Sequence, residues 1–277
     1  MIDRYAVIGN PISHSKSPLI HTGFAHDSGQ AMSYTTIEGP LGQFAATVNQ
    51  FRAEGGKGLN VTVPFKLDAC AYATDLADSA RSAGAANALK FEGDRCYAEN
   101  FDGVGLVRDI THNLGHALRG QRVLLLGAGG ATRGAVLPIL QQGPARLFIA
   151  NRTVAKAQDL VAEFLAHGAS AVLEGGGYGD LSGTDVFDVV INATSASLGA
   201  ELPPLPASAF AAEGLAYDMV YGKGLTPFLQ LAQHSGVAHL ADGVGMLVEQ
   251  AAEAFAWWRG VRPETRRMIE RISVPLQ

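Results

Sequence analysis

Hydrophobic positions along the chain change their period several times, and each change marks an element. The run RVLLL (122–126) shows no alternation and then meets the glycine-rich stretch GAGGATRG. An aliphatic run of that length predicts a strand buried on both faces. ATRGAVLPILQQ (131–142) has helical spacing and stops at Gly143-Pro144. RLFIA (146–150) predicts a second strand. The next helix, with Thr153 as its cap, carries Val154, Ala157, Leu160, Val161, Phe164 and Leu165 at intervals of one turn. SAVLE (170–174), FDVVINATS (187–195), LAYDMVY (215–221) and VAHL (237–240) predict further strands. TPFLQLAQH (226–234) predicts a helix capped by Thr226, with Pro227 in its first turn. Strands alternating with helices predict parallel pairing through crossover helices, hence an α/β sheet.

The first hundred residues alternate less regularly. Strands are expected at 5–9, 32–38 and 57–63, helices at 18–28, 41–53 and 75–84, and a hairpin across Gly93-Asp94 within 87–99. Ser17 stands as a cap before Pro18. GMLVEQAAEAFAWWRG predicts an amphipathic helix ending near Gly260, and a last helix is expected around 263–272. Arg259, Arg262, Arg266, Arg267 and Arg271 around it read as a solvated face. GGGYG (175–179) reads as a surface loop, and domain boundaries fall near 102 and 242.

Composition narrows the class. The 277 residues are 47% hydrophobic and 17% charged, enough for a sizeable core. A net charge of -5 gives no support to nucleic-acid binding, which needs a basic surface. Cys70 and Cys96 stand in no metal-like spacing and suggest a reducing compartment. No apolar run approaches the roughly 18 residues of a membrane span, and MIDRYAVIGN does not resemble a signal peptide. His112 and His116 have i,i+4 spacing but no evident third ligand, so no metal site is expected. The expectation is a soluble, cytoplasmic protein, monomer or homodimer, that acts on a small molecule.

The glycine-rich stretch carries the first chemistry. Gly127 permits a tight turn, and Gly129 lets a pyrophosphate approach the backbone at a helix start. The sixth position of the dinucleotide fingerprint is Thr132 rather than Gly or Ala. The second strand ends in Asn151-Arg152-Thr153 with no acid to accept a ribose hydroxyl. Arg152, with Thr153 and Lys156 close behind, suits a 2′-phosphate, so NADP is expected over NAD.

NVTVPFK (60–66) alternates Val61, Val63 and Phe65 with Asn60, Thr62 and Pro64, predicting a short strand that Pro64 stops. Lys66 then supplies a cation. Reduction of a ketone develops an alkoxide that needs a proton donor within reach. Asp102, in ENFDGVG, is a candidate partner whose carboxylate favours the protonated amine.

At this point the motifs combine. GNPISHSKSPLIH (9–21), NVTVPFK, GAANAL (84–89), NFDGVG (100–105), GAGGATRG (127–134), NRT (151–153), INATS (191–195), DMVYGKGLTPFL (218–229) and ADGVGMLVEQA (241–251) run in order along nearly the whole chain. Together they resemble the shikimate dehydrogenase family. The resemblance implies NADPH-dependent, reversible reduction of 3-dehydroshikimate to shikimate, with Lys66 and Asp102 as the catalytic pair. It implies Ser13, Ser15 and Tyr221 on the substrate carboxylate, and Thr62, Asn87, Asp102 and Gln250 on ring hydroxyls near Lys66. It implies cofactor contacts at Gly127, Ala128, Gly129, Gly130 and Ala131. Further cofactor contacts are Asn151, Arg152, Thr153, Val154, Ala155, Lys156, Met219 and Gly243, with Asp78 near the nicotinamide end. The implied fold is a two-lobed α/β protein: an N-terminal α/β substrate domain (1–101, completed by helices within 243–277) and a Rossmann-like, doubly wound NADP-binding domain (102–242). Many members carry Thr where this chain has Phe101. The alternatives are a quinate/shikimate dehydrogenase of broader substrate and cofactor use, and a non-catalytic NADP-binding regulator.

Overall fold

The computed structural model describes residues 2–181, 185–194, 203–222 and 224–276. Ser195, the last residue of the strand expected over 187–195, and Lys223 lie outside the described residues. The chain forms two compact units. The first comprises Met1–Gly105 and Val248–Glu270, the second Leu106–Leu247 and Arg271–Gln277.

The first unit is built on a mixed six-stranded sheet. Its strands are β1 (Asp3–Gly9), β2 (Met32–Glu38), β3 (Gly56–Val61), β4 (Asp75–Leu76), β5 (Ala88–Glu92) and β6 (Arg95–Glu99), in the order β2-β1-β3-β5-β6-β4. β1 pairs in parallel with β2 and β3, whereas β5 runs antiparallel to β3 and β6. Its helices are α1 (Ser17–Asp27), α2 (Phe44–Ala53), α3 (Lys66–Tyr72) and α4 (Asp78–Ala83). The apolar run of β1 is explained by two covered faces. Ala6 and Ile8 pack into one cluster with Val48, Leu59 and Phe65, while Tyr5 and Val7 enter another with Tyr34 and Trp258.

The chain passes from one unit to the other within α5 (Asp102–Arg108), within α9 (Val244–Arg259) and again near the end of the last helix, after Glu270. The second unit holds β7 (Arg122–Leu126), α6 (Gly130–Gln141), β8 (Arg146–Ala150), α7 (Val154–Ala166), β9 (Leu173–Gly176), β10 (Phe187–Asn192), β11 (Phe210–Asp218), α8 (Pro227–His234) and β12 (His239–Asp242). α10 (Arg266–Ile272) follows α9. All the strand pairs of this sheet are parallel, in the order β12-β11-β10-β7-β8-β9. Val123 and Leu125 face one cluster and Leu124 and Leu126 the other, so RVLLL is buried on both sides. Strand order reverses between β7 and β10, which opens a crevice at the carboxyl ends of the strands.

Several local expectations are corrected. β3 ends at Val61, and Val63 is exposed, because the Phe65 N–H closes a turn onto the Thr62 carbonyl. Helices α3 and α5, for which the sequence predicts no element, are too short to show a period. GGGYG is not simply a surface loop: Gly175 and Gly176 end β9, where a Cβ on Gly175 would lie 2.8 Å from the Ala157 carbonyl of α7. Ser17 is the first residue of α1, not its cap, and Thr153 occupies the cap position of α7 without a side-chain hydrogen bond. Two of the arginines are structural. Arg259 pairs with Asp3, and Arg262 holds the buried Glu249 at 2.5 Å and Glu253 at 2.7 Å. The helical turn carrying His112 stops at Asn113, so His116 lies beyond it, edge-on to His239 at 4.5 Å. Among the described residues no group of histidine, cysteine and acidic side chains is arranged to hold a metal, and no helix is long and apolar enough to cross a membrane.

His21 is fully buried in α1, stacked on Tyr34 at 4.3 Å, and neither ring nitrogen has a hydrogen-bond partner. Burial pushes its pKa from 6.5 down to about 3, against a smaller opposite pull from the Asn60 side chain. Between those values the unfolded chain binds a proton that the folded one does not, so stability falls as pH drops below 6.5. This group alone should remove about 2 kcal/mol between pH 7 and pH 5. Urea unfolding at both pH values should show that loss in the natural chain and not in His21→Phe.

Candidate functional site

The first unit brings four of the expected side chains into direct contact. Lys66 opens α3, its carbonyl accepting the Ala86 N–H at 2.9 Å. Its Nζ lies 2.6 Å from Asp102 Oδ2, with the lysine side chain 32% exposed and the aspartate 15%. Asp102 opens α5, where the positive end of the helix dipole favours a carboxylate. Its N–H donates to Asn100 Oδ1 at 3.1 Å. Asn87 Nδ2 donates to Asp102 Oδ1 at 2.8 Å and to Gln250 Oε1 at 3.1 Å. The Phe101 N–H donates to Asn87 Oδ1 at 2.9 Å. That last bond decides which end of the amide is oxygen. Lys66, Asn87, Asp102 and Gln250 therefore form one polar set, two of its members separated by 163 positions in sequence.

The remaining candidates of this unit lie in loops. Thr62, half-buried at the end of β3, donates its N–H to the Ile8 carbonyl. A Cβ at Gly9 would stand 2.6 Å from Thr62 Cγ2 and 2.8 Å from Ile12 Cδ1, so this glycine lets the Thr62 turn and the 11–16 loop close on each other. Ser13 is exposed, and half-buried Ser15 Oγ accepts the Ser17 N–H at 3.3 Å. Asp78 stands apart, its carboxylate almost fully exposed and 4.0 Å from Arg81. None of the hydrogen bonds that join the other residues reaches it.

In the second unit the glycine loop sits at the carboxyl end of β7. Gly127 has φ +101, and its N–H donates to the Ala150 carbonyl at 2.8 Å. Among the described residues, a Cβ at Gly129 or Gly130 would meet nothing within 4 Å. Ala128 is half-buried, and Ala131 is exposed at the start of α6. Thr132, the departure from the fingerprint, is buried and donates its hydroxyl to the Gly127 carbonyl at 2.9 Å. At the end of β8, Asn151 Nδ2 donates to the Thr153 carbonyl, while Arg152, Val154, Ala155 and Lys156 are exposed. Met219 and Gly243 touch, since a Cβ on Gly243 would lie 2.3 Å from the Met219 carbonyl oxygen. Tyr221 is partly exposed, and desolvation raises its hydroxyl pKa.

A buried carboxylate beneath these positions escaped the sequence reading. Asp218 Oδ1 accepts from Asn192 Nδ2 and the Val220 N–H, both at 3.1 Å, and Oδ2 accepts from Thr226 Oγ1 at 2.6 Å. Thr194 Oγ1 donates to Asn192 Oδ1 at 2.7 Å, and Met219 N–H to the Asn192 carbonyl at 3.0 Å. The set braces the carboxyl ends of β10 and β11 on either side of Met219. Only the cap role of Thr226 was legible beforehand, and it holds too, at 3.3 Å to the Leu229 N–H.

Comparison with known proteins now decides the family. Profiles described as the shikimate dehydrogenase substrate binding domain, shikimate / quinate 5-dehydrogenase and the shikimate 5'-dehydrogenase C-terminal domain match residues 7–89, 109–199 and 243–272. The curated shikimate dehydrogenase (NADP(+)) of Nitrosospira multiformis is 59% identical, over 97% of this chain and 96% of its own. The chain belongs to the shikimate dehydrogenase family. Among solved structures, the Ael1 enzyme from Pseudomonas putida is 60% identical with a TM-score of 0.94, over 99% of this chain and 100% of its own. The shikimate 5-dehydrogenase of Thermus thermophilus, solved in complex with NADP(H) and shikimate, is 30% identical with a TM-score of 0.85, over 98% of each chain. Phe101, where many members of the shikimate dehydrogenase family carry Thr, turns its ring edge-on to Trp257 at 5.7 Å.

The brace yields a stability prediction. Thr226→Val should leave the buried Asp218 short of one donor and cost about 1–3 kcal/mol. Chemical denaturation of the variant beside the natural chain measures it.

Proposed function

We propose that this protein catalyses the reversible NADPH-dependent reduction of 3-dehydroshikimate to shikimate. The observation that carries the reading is the Lys66–Asp102 contact of 2.6 Å, joined through the Asn87 amide to Gln250. A sugar-like acid presents several hydroxyls, and a site of fixed amides and hydroxyls discriminates them because a wrong partner leaves a polar group unpaired. Asn87, Gln250 and Thr62 take the ring hydroxyls, and Ser13 and Ser15 take the carboxylate.

Lys66 acts as the proton donor. As the ketone oxygen gains negative charge, the ammonium gives it a proton and the oxygen becomes the hydroxyl of the product. The amine left behind keeps its hydrogen bond to Asp102 Oδ2 and regains a proton from solvent. In the oxidative direction the same amine accepts the hydroxyl proton. Asp102 keeps the Lys66 nitrogen in place and is itself oriented by Asn87.

The second unit fits a phosphorylated dinucleotide. Gly129 and Gly130 leave the α6 N-terminus open to a pyrophosphate, and no carboxylate follows β8 where Arg152 stands. Arg152, with Thr153 and Lys156, takes the 2′-phosphate, Val154 and Ala155 line the same turn, and Met219 and Gly243 contact the cofactor. When bound, NADPH supplies the hydride.

Lys66→Ala should lower kcat by about 100-fold or more while shikimate KM stays nearly unchanged, because proton transfer belongs to the transition state. Absorbance at the nicotinamide band, with shikimate and quinate assayed side by side, reads it. A variant that loses only affinity disproves the role. Arg152→Ala should raise NADP+ KM by about 10- to 100-fold and barely move NAD+, the worth of a charge-assisted hydrogen-bonded pair. Equal effects on both cofactors would remove Arg152 from the 2′-phosphate site.

A further inference from the structure

The segment that follows β11 is pinned at both ends. Its near end is held from β10 and β11: Met219 donates its N–H to the Asn192 carbonyl at 3.0 Å, and Val220 donates to Asp218 Oδ1 at 3.1 Å. Its far end, Gly222, donates its N–H to Asp242 Oδ2 at 3.1 Å. Asp242 closes β12, and its other oxygen, Oδ1, accepts the N–H of Val244, the first residue of α9, at 3.2 Å. One half-buried carboxylate thus ties together two stretches, 219–222 and 243–244, that carry Met219 and Gly243. We infer that Asp242 is a positioning residue for the cofactor, fixing the Met219 backbone against the Gly243 backbone. The inference rests on the reading above in which those two residues contact the cofactor.

Without this carboxylate the two stretches would hold each other loosely. Their direct backbone bond, from the Gly243 N–H to the Val220 carbonyl, is 3.4 Å long, beyond the ordinary range for such a pair. Gly222 has φ +77, a conformation that glycine enters and leaves at little cost, so nothing in that residue keeps the segment in place. Yet the approach is close: a Cβ on Gly243 would lie 2.3 Å from the Met219 carbonyl oxygen and 3.2 Å from its Cα. A contact so close and so weakly bonded needs a tether from outside. A carboxylate suits that task because it offers one acceptor to each N–H and no donor, which an amide cannot do. Burial raises the Asp242 pKa, the Gly222 and Val244 N–H groups pull it back, and the Asp218 charge adds a smaller push. The same two N–H groups therefore compensate a charge that burial opposes.

Asp242→Ser keeps one oxygen for the turn onto Val244 and loses the one that reaches Gly222. NADP+ Kd, from a fluorescence titration, should rise about tenfold, the worth of a hydrogen bond to a charged group. KM for NADP+ and for NAD+ should rise by the same factor, since the tether serves a part common to both. The Gly243 amide, which the Asp242 side chain does not touch, should exchange with solvent about tenfold faster. Asp242→Asn, nearly identical in shape but with one acceptor for two N–H groups, should fold and show part of the same loss. In a Gly243→Ala background, where the added Cβ already forces the stretches apart, Asp242→Ser should cost no further affinity. Variants that melt earlier yet bind NADP+ as tightly and keep the Gly243 exchange rate overturn the inference, as does a loss confined to NADP+, or losses that multiply in the double variant. If the natural chain binds neither cofactor, the cofactor reading fails and the inference falls with it. If it binds them and the Asp242 variants bind equally well, the inference alone fails.

Discussion

The orientation of one primary amide holds the polar set of the first unit together. Asn87 sits where β5 begins, and its side chain speaks to three parts of the chain that are remote in sequence: the Phe101 N–H, the Asp102 carboxylate and the Gln250 amide. A carboxylate free to rotate would offer Lys66 either oxygen at any angle. Here one oxygen belongs to the amide and the other to the ammonium, so the geometry of the ion pair is set by the protein itself. That arrangement needs a rigid floor, and the mixed sheet supplies it through the antiparallel β3–β5 pairing that places Asn60 beside Asn87.

The second unit solves a different problem with similar means. Its parallel strands end together, so their last residues converge around the crevice where strand order reverses. A buried carboxylate, Asp218, ties β11 to β10 and to the start of α8. Burying a charge is costly unless every lone pair finds a donor, and here an amide, a backbone N–H and a hydroxyl satisfy it. Removing any one donor would leave part of a buried charge uncompensated.

Much of this was legible in the residues. RVLLL, GAGGATRG and RLFIA announced a strand, a turn and a strand because burial on both faces abolishes alternation. The motifs carrying Lys66, Asp102, Asn87 and Gln250 named the polar set, though periodicity alone says nothing of a contact spanning the chain. Short helices were missed because seven residues cannot display a 3.6-residue period, as at Lys66–Tyr72. Arg259 and Arg262 read as solvated because charge pattern does not reveal a buried acid such as Glu249 on a neighbouring turn. GGGYG read as loop because glycine signals freedom in sequence, whereas in space it permits close approach of α7 to β9. Asp218 went unnoticed because a polar residue inside a strand gives no local sign of whom it meets.

The threonine that breaks the dinucleotide fingerprint has a physical meaning of its own. By donating its hydroxyl back to the Gly127 carbonyl, Thr132 laces the glycine loop to the first turn of α6. A loop already laced surrenders little conformational freedom when an anion arrives, so more of the contact energy is left to hold the nucleotide. In this chain the glycines supply the room, and a side chain in place of the last glycine supplies the preorganisation.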